Sequence, residues 1–191
     1  MPREGVFAKV LRGGVLKAGD SLEITEEKLP LDAAIITASD KGYAGEREDK
    51  SGQTIEELVT AKGLHVAHKI ILPDDRSMLA KQMMTLCDQR IDLILTTGGT
   101  GFSKRDVTPE ATADVVERRA DNLTFAMIAN SLQYTPKAML SRGIAGIRGN
   151  TLIVNLPGSP KAVRENLEYA MDAIIHGVKI LKGDDGECAR Q

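Results

Sequence analysis

The run from Leu93 to Thr112 limits what this chain can fold into more than any other. Leu93-Ile94-Leu95-Thr96-Thr97 is a short apolar and β-branched stretch that stops at clustered glycines, Gly98-Gly99-Thr100-Gly101. That pattern predicts a buried strand breaking at its carboxyl end into a loop where backbone can approach a ligand closely. Beyond Phe102 and Ser103 a helix restarts, with Thr108 placed as its N-cap, Pro109 at its first position and Glu110 in its first turn. Strand, glycine loop and helix N-terminus together make a place for anions such as phosphate. Lys104 and Arg105 add two cations able to hold phosphate, and Asp106 adds a hard oxygen ligand suited to Mg²⁺. Gly-Gly-Thr-Gly alone is equally a steric device for a tight turn. The run is neither a Walker A loop nor a G-x-G-x-x-G fingerprint.

From Leu31 onward the pattern is strand, loop and helix, repeated, which predicts an α/β fold: a mostly parallel open sheet with helices on both faces. Ala33 to Thr37 is the first strand and ends at Ser39-Asp40. A polar loop follows, and Ser51 is placed to cap a helix with Ile55, Leu58 and Val59 on its apolar face and Gly63 as its stop. Leu64 to Leu72 is the second strand, ending at Pro73-Asp74-Asp75, and the next helix carries Leu79, Met83, Leu86 and Cys87. Leu93 to Thr97 is the third strand. Helical patterns then cover Pro109 to Ala120 and Leu123 to Gln133, and Ser141 to Gly149 reads as a glycine-rich connector. Thr151 to Leu156 is a further buried strand, after which Ser159 and Pro160 open a long final helix ending at Gly183.

Upstream, Gly5 to Leu11 and Val15 to Ile24 read as two strands about Gly13-Gly14, a β-hairpin, followed by a charged linker. This divides the chain into a hairpin and linker at 1–28, a main domain at 29–183 and a polar tail at 184–191. With 191 residues, 42% of them hydrophobic, the chain can bury one good core. A net charge of −2 argues against a general nucleic-acid binder, which needs a basic surface. No apolar run reaches the length of a membrane span and no signal-peptide core is present, so no membrane association is expected and the cytoplasm is the expected location. Cys87 and Cys188 form no C-x-x-C and read as buried or free thiols. His65, His68 and His176 lack ligand spacing and read as structural or exposed.

In an open α/β sheet, ligands bind beyond the carboxyl ends of the strands. Four such ends carry polar or glycine clusters: Ser39-Asp40, Pro73-Asp74-Asp75, Thr97 to Gly101, and Pro157-Gly158-Ser159. Asp74 and Asp75 are placed either as helix caps or as site carboxylates, and Asp40 and Asp49 either as turn residues or as site residues. Arg142, in the glycine-rich connector after Ser141, is either solvated or an anion contact, with little effect on stability expected on its removal.

Thr-Thr-Gly-Gly-Thr-Gly-Phe, followed by Arg105-Asp106-Val107-Thr108-Pro109-Glu110-Ala111-Thr112, resembles the signature of the molybdopterin adenylyltransferases, the family of bacterial MogA and the gephyrin G domain. Leu72-Pro73-Asp74-Asp75, Leu140-Ser141-Arg142 and Asn155-Leu156-Pro157-Gly158-Ser159-Pro160 extend the resemblance over Leu31 to Gly183. The Arg-Asp-Val-Thr-Pro form separates active adenylyltransferases from MoaB-like relatives. The resemblance implies a MogA-like fold and a reaction in which the terminal phosphate of molybdopterin attacks the α-phosphorus of Mg·ATP, giving adenylylated molybdopterin and pyrophosphate. It implies functional roles for Asp74 and Asp106, here expected to be catalytic and to hold Mg²⁺. Ser39, Asp40, Thr97, Gly98, Gly99, Thr100, Gly101, Lys104, Arg105, Ser141, Arg142, Pro157, Gly158 and Ser159 are the expected substrate- and nucleotide-binding residues. A homotrimer, and a molybdenum insertion protein as partner, are further implications. The first segment resembles the final strands of a MOSC domain, far too short to be one, and reads as a remnant with a tethering role. Two other readings are a non-catalytic pterin-binding or carrier protein of the same fold, and an assembly module for cofactor enzymes.

Overall fold

In the computed structural model, residues 30–183 are described, together with Val15, Lys17, Gly19, Asp20 and Ser21. The expected N-terminal hairpin, apart from those five positions, and the expected polar tail lie outside the described residues.

The main domain begins with β1 (Asp32–Ala38), a short helical turn α1 (Asp40–Tyr43), α2 (Lys50–Ala61) and β2 (His65–Leu72). It continues through α3 (Arg76–Asp88), β3 (Leu93–Thr97), α4 (Thr108–Ala113), β4 (Arg118–Arg119) and α5 (Asp121–Ser131). A 3-10 turn (Pro136–Leu140), β5 (Ala145–Arg148), β6 (Thr151–Leu156) and α6 (Pro160–Lys182) complete it. The six strands form one sheet in the order β2-β1-β3-β6-β5-β4, the first four parallel and the last two antiparallel at the edge. β3 and β6 are buried along their whole length, and β1 at all but its first residue, which is why they read as unbroken apolar and threonine runs rather than as alternations. Side chains pointing to one face, such as Ile35, Leu95 and Val154, pack with Ile55 and Val59 of α2 and Val163 and Leu167 of α6. Those pointing to the other, such as Ile36, Ile94 and Ile153, pack with Leu79, Met83 and Leu86 of α3 and Ala111 of α4.

The chain leaves β1 toward β2 and returns past it to β3, so the strand order reverses between β1 and β3. That switch point opens a crevice at their carboxyl ends, where Ser39 and Gly98 lie.

Three local expectations are corrected. The helix expected over Pro109 to Ala120 stops at Ala113. Val115 and Val116, β-branched and costly to hold in a helix, pack into the core, and Glu117 N–H and Ala120 N–H bond the Ile147 and Ala145 carbonyls of β5. The glycine-rich connector therefore contains a strand. Gly146 within it needs to lack a side chain, because a Cβ there would lie 2.7 Å from Val116 and 2.8 Å from the Arg118 carbonyl. The cap of α2 is Asp49, not Ser51: its carboxylate accepts from Gly52 N–H at 2.9 Å and from the Thr37 hydroxyl at 2.9 Å.

Candidate active site

A cavity of about 780 Å³ sits on the crevice. Its walls come from the end of β1 (Thr37 to Ser39), Gly42, the segment Arg47 to Ser51, Asp74, Gly98-Gly99, Asp106, and Gly158 to Pro160. The four strand ends singled out in the sequence thus meet on one rim, joined by the polar loop that carries Asp49.

The glycine loop allows three segments to close together. Gly98, at φ 88°, passes so near β1 that a Cβ would lie 2.3 Å from the Ala38 carbonyl. Gly99, at φ 62°, passes between Thr108 and Asp74, and a Cβ would lie 2.5 Å from the Thr108 hydroxyl and 3.1 Å from an Asp74 carboxylate oxygen. Any side chain at either position would push Asp74 or β1 away from the loop.

Thr108 does not cap α4. Val107 occupies the cap position without a side-chain bond, while the Thr108 hydroxyl donates to the Gly98 carbonyl at 2.9 Å and its N–H to the Gly99 carbonyl at 3.1 Å. The start of α4 is thus fastened to the loop, and the helix starts that border the cavity are those of α1, at its cap Ser39, α2, at Lys50 and Ser51, and α6, at Pro160.

The two acidic residues of Pro73-Asp74-Asp75 divide their tasks. Asp75 caps α3, accepting from Met78 N–H at 2.8 Å, while Asp74 lines the cavity. Asp74 and Asp40 are latched reciprocally: Asp40 N–H donates to the Asp74 carboxylate at 3.0 Å and Asp74 N–H to the Asp40 carboxylate at 3.0 Å. Burial pushes the Asp74 carboxyl above its ordinary range, and the neighbouring Asp40 and Asp106 charges push the same way. Asp40 is held below its ordinary range by hydrogen bonds from Arg105, whose Nε and Nη2 donate to its two oxygens at 3.0 and 2.8 Å, and from Asp74 N–H. Asp106 lines the cavity too, and its Oδ2 accepts from Ser103 N–H at 2.9 Å.

Of the expected binding residues, Ser39, Gly98, Gly99, Gly158 and Ser159 border the cavity with Asp74 and Asp106. Ser39 and Ser159 also cap α1 and α6. The others are placed differently. The Thr97 hydroxyl is buried and donates to the Pro157 carbonyl at 2.7 Å, tying β3 to β6. Thr100 and Gly101 offer their carbonyls to Arg142, at 2.8 Å from its N–H and 2.7 Å from its Nε. Arg142 also donates from Nη2 to the Asp106 carbonyl at 2.6 Å and pairs with the Glu110 carboxylate. Arg142, expected as an anion contact or a solvated side chain, is here a clasp on the signature loop. Lys104 lines a separate open depression with Phe102 and Ser103, and Arg105 is occupied by Asp40. Ser141 and Pro157 line a second cavity of about 220 Å³ with Asn155. Asn155 is saturated from the other side, donating to the Thr96 and Thr112 hydroxyls at 2.9 and 2.8 Å and accepting from Ile144 N–H at 3.1 Å.

Among the described residues no group of three or more His, Cys, Asp or Glu side chains is placed to cage a metal. Asp74 and Asp106 are nonetheless a suitable pair of hard donors for Mg²⁺, which takes one or two carboxylates and completes its shell with water and phosphate oxygens. The desolvation of Asp74 fits that role, because a bound cation offsets the cost of its buried charge.

A family model described as a probable molybdopterin binding domain matches residues 34–176. The molybdopterin adenylyltransferase of Helicobacter pylori strain J99 is 41% identical over 153 residues, covering 78% of this chain and 87% of that protein. Gephyrin of Dictyostelium discoideum is 39% identical over 158 residues, 77% of this chain but 22% of gephyrin. Among solved structures, the molybdopterin biosynthesis enzyme MoaB of Thermus thermophilus shares 43% identity at a TM-score of 0.76, over 80% of this chain and 97% of the other.

Proposed function

Because this chain belongs to the family of probable molybdopterin binding domains, we propose that it is a molybdopterin adenylyltransferase, joining molybdopterin to the adenylyl group of ATP with release of pyrophosphate. The observation that carries the reading is the pairing of a partly desolvated Asp74 with Asp106 on a cavity at the sheet's switch point. Carboxylates there repel a polyphosphate unless a cation joins them, and a nucleotide arriving with Mg²⁺ supplies one.

Adenylyl transfer asks for positioning and charge neutralisation more than for covalent chemistry by the protein. Mg²⁺ would be held by Asp74 and Asp106 and would draw charge from the phosphate oxygens. The glycine loop lets the nucleotide approach backbone at Gly98 and Gly99. The smaller cavity, walled by Met127, Ile128 and Ala138 with Ser141 and Thr135 as polar groups, suits a flat heterocycle such as a pterin. At the end of β6, Pro157 borders this cavity and the next residue, Gly158, borders the larger one. Two substrates seated in adjoining cavities meet there, and this is the arrangement a two-substrate transfer needs. Assembly as a homotrimer and hand-over to a molybdenum insertion protein complete the reading.

Incubation of the protein with molybdopterin, ATP and Mg²⁺ is expected to release pyrophosphate with one adenylylated pterin per turnover. Tight molybdopterin binding without pyrophosphate release would make the protein a carrier, and binding of neither substrate would make it an assembly module.

A further inference from the structure

Arg105 and Arg142 are committed to partners within the protein: Arg105 is bidentate to Asp40, and Arg142 clasps Gly101, Asp106 and Glu110. Lys104 borders the neighbouring depression, which shares Asp106 with the large cavity, and does not itself line that cavity. The basic side chains that do line the cavity are Arg47 and Lys50, on the loop leading into α2. Arg47 is exposed and has no partner among the described residues. The Lys50 ammonium meets only Glu48, at 3.9 Å, in a pair 70% and 72% exposed, weak enough to part when an anion arrives.

Position decides which anion these two cations meet. The reacting phosphorus belongs where the two cavities adjoin, at the end of β6. Arg47 and Lys50 reach the larger cavity from the loop that leads into α2, whereas Gly158 reaches it from the end of β6. What extends from the α-phosphorus toward them is either the nucleoside or the two further phosphates, and uncommitted arginine and lysine select phosphate. Building on the adenylyl-transfer reading, we infer that Arg47 and Lys50 form the subsite for the β- and γ-phosphates of the nucleotide and for the pyrophosphate that leaves. A phosphate oxygen of the pterin substrate bonds to the α-phosphorus as the bond from that phosphorus to the α,β-bridging oxygen breaks. The electron pair stays on the bridging oxygen, now part of pyrophosphate, and the charge gained there is neutralised by the two cations.

The test is calorimetric titration with Mg·pyrophosphate, Mg·ATP and AMP. Wild type is expected to bind all three. Arg47→Ala should weaken pyrophosphate and ATP by about tenfold or more, the worth of one charge-assisted hydrogen bond, and leave AMP unchanged. Lys50→Ala should act in the same direction, and Arg47→Lys should recover part of the loss. Both side chains are exposed, so the melting temperature should not move. An equal loss for AMP would place the cations at the α-phosphate and overturn the inference, as would unchanged pyrophosphate affinity in the Arg47→Ala/Lys50→Ala double variant. If that double variant binds normally while wild type turns over, the inference falls and adenylyl transfer stands. If it loses pyrophosphate and ATP while wild type releases no pyrophosphate from its two substrates, adenylyl transfer falls and the polyphosphate subsite stands.

Discussion

The loop at residues 98–107 and the loop at residues 44–49 border one cavity, but they are fastened very differently. In the first, the Gly98, Gly99, Thr100, Gly101 and Asp106 carbonyls each accept a bond from Thr108 or Arg142, and Ser103 and Asp106 bond each other twice. In the second, Gly45 and Glu46 make turn bonds back to Gly42 and Lys41 and Asp49 is anchored as a cap, while Arg47 and Glu48 reach out with little to hold them. The difference matches what each loop offers. On the proposed reading, carboxylates and backbone that organise a small hard cation would work only at fixed distances, and a geometry settled before a ligand arrives suits that task. Long cationic side chains can follow phosphate charge as it shifts during a reaction, so a lightly fastened loop serves them.

The largest effect should come from removing charge from the fixed loop. Asp106→Asn can keep the bond from Ser103 N–H yet loses its charge, and should slow pyrophosphate release by on the order of a hundredfold or more with an unchanged circular dichroism spectrum. Asp74→Asn should behave alike if both hold one cation. A folded Asp106→Asn protein working at nearly the wild-type rate would break the comparison, leaving Asp106 a turn residue.

Arg142→Ala tests the fastening itself. It strands the Glu110 carboxylate and two carbonyls, and since the pair is about one-third exposed the cost should be roughly 2 kcal/mol rather than that of a fully buried ion. Turnover should fall with it, by about tenfold, as the loop loses register. Denaturation midpoints and rates measured together decide this. An unmoved midpoint would show that the clasp does not hold the loop, and would restore the anion contact with little effect on stability expected from sequence.

A smaller, pH-dependent effect sharpens the same point. Burial alone would raise the Glu110 carboxyl, but the bond and charge of Arg142 outweigh it and leave the group below its ordinary value of 4.5. A carboxyl depressed in the fold stabilises above its unfolded value and loses that contribution as pH falls through its folded value. Wild type should therefore lose stability relative to Glu110→Gln on acidification from about pH 5 to about pH 3, by roughly 1 kcal/mol or less given the exposure of the pair. Parallel thermal melts in that window measure it; curves that stay parallel would mean that Arg142 does not depend on the charge of Glu110.

The smallest effect is expected from deleting residues 1–28. Among the described residues none that lines the cavity precedes Thr37, so turnover should stay within about twofold of the full chain, the range of a change remote from the chemistry. Lost activity in a folded deletion variant would add a third segment to the two loops.

What the sequence made legible was periodic or punctuated. β3 matches the expected Leu93 to Thr97 at both ends, and α6 begins after Ser159 and ends at Gly183 as read, because caps and buried runs are local signals. The edge of the sheet escaped, since Arg118-Arg119 becomes a strand only by pairing with Ile147 and Gly146, a long-range match that no local propensity announces. In the site, Gly98, Gly99, Asp74 and Asp106 carried recognisable spacing. The partners of Arg142 and Arg105, 32 to 65 residues away, are invisible in a linear reading, and Arg47 was not singled out because an exposed arginine in a polar loop has no spacing to mark it. Asp49 gave one usable signal: an acidic residue three positions before Gly52 is as good a cap as Ser51.

α6 starts on the cavity rim at Ser159-Pro160 and, over 23 residues, runs about 34 Å to the other end of the sheet. There Lys182 is pinned to Asp92, just ahead of β3, at 3.0 Å. The helix works as a spacer between the chemistry and the exit of the main domain. A fluorophore or surface-immobilisation handle joined after Gly183 would therefore sit on the far side of the sheet from the substrates. An optical or sensor-chip assay anchored at that point would report on binding without crowding it.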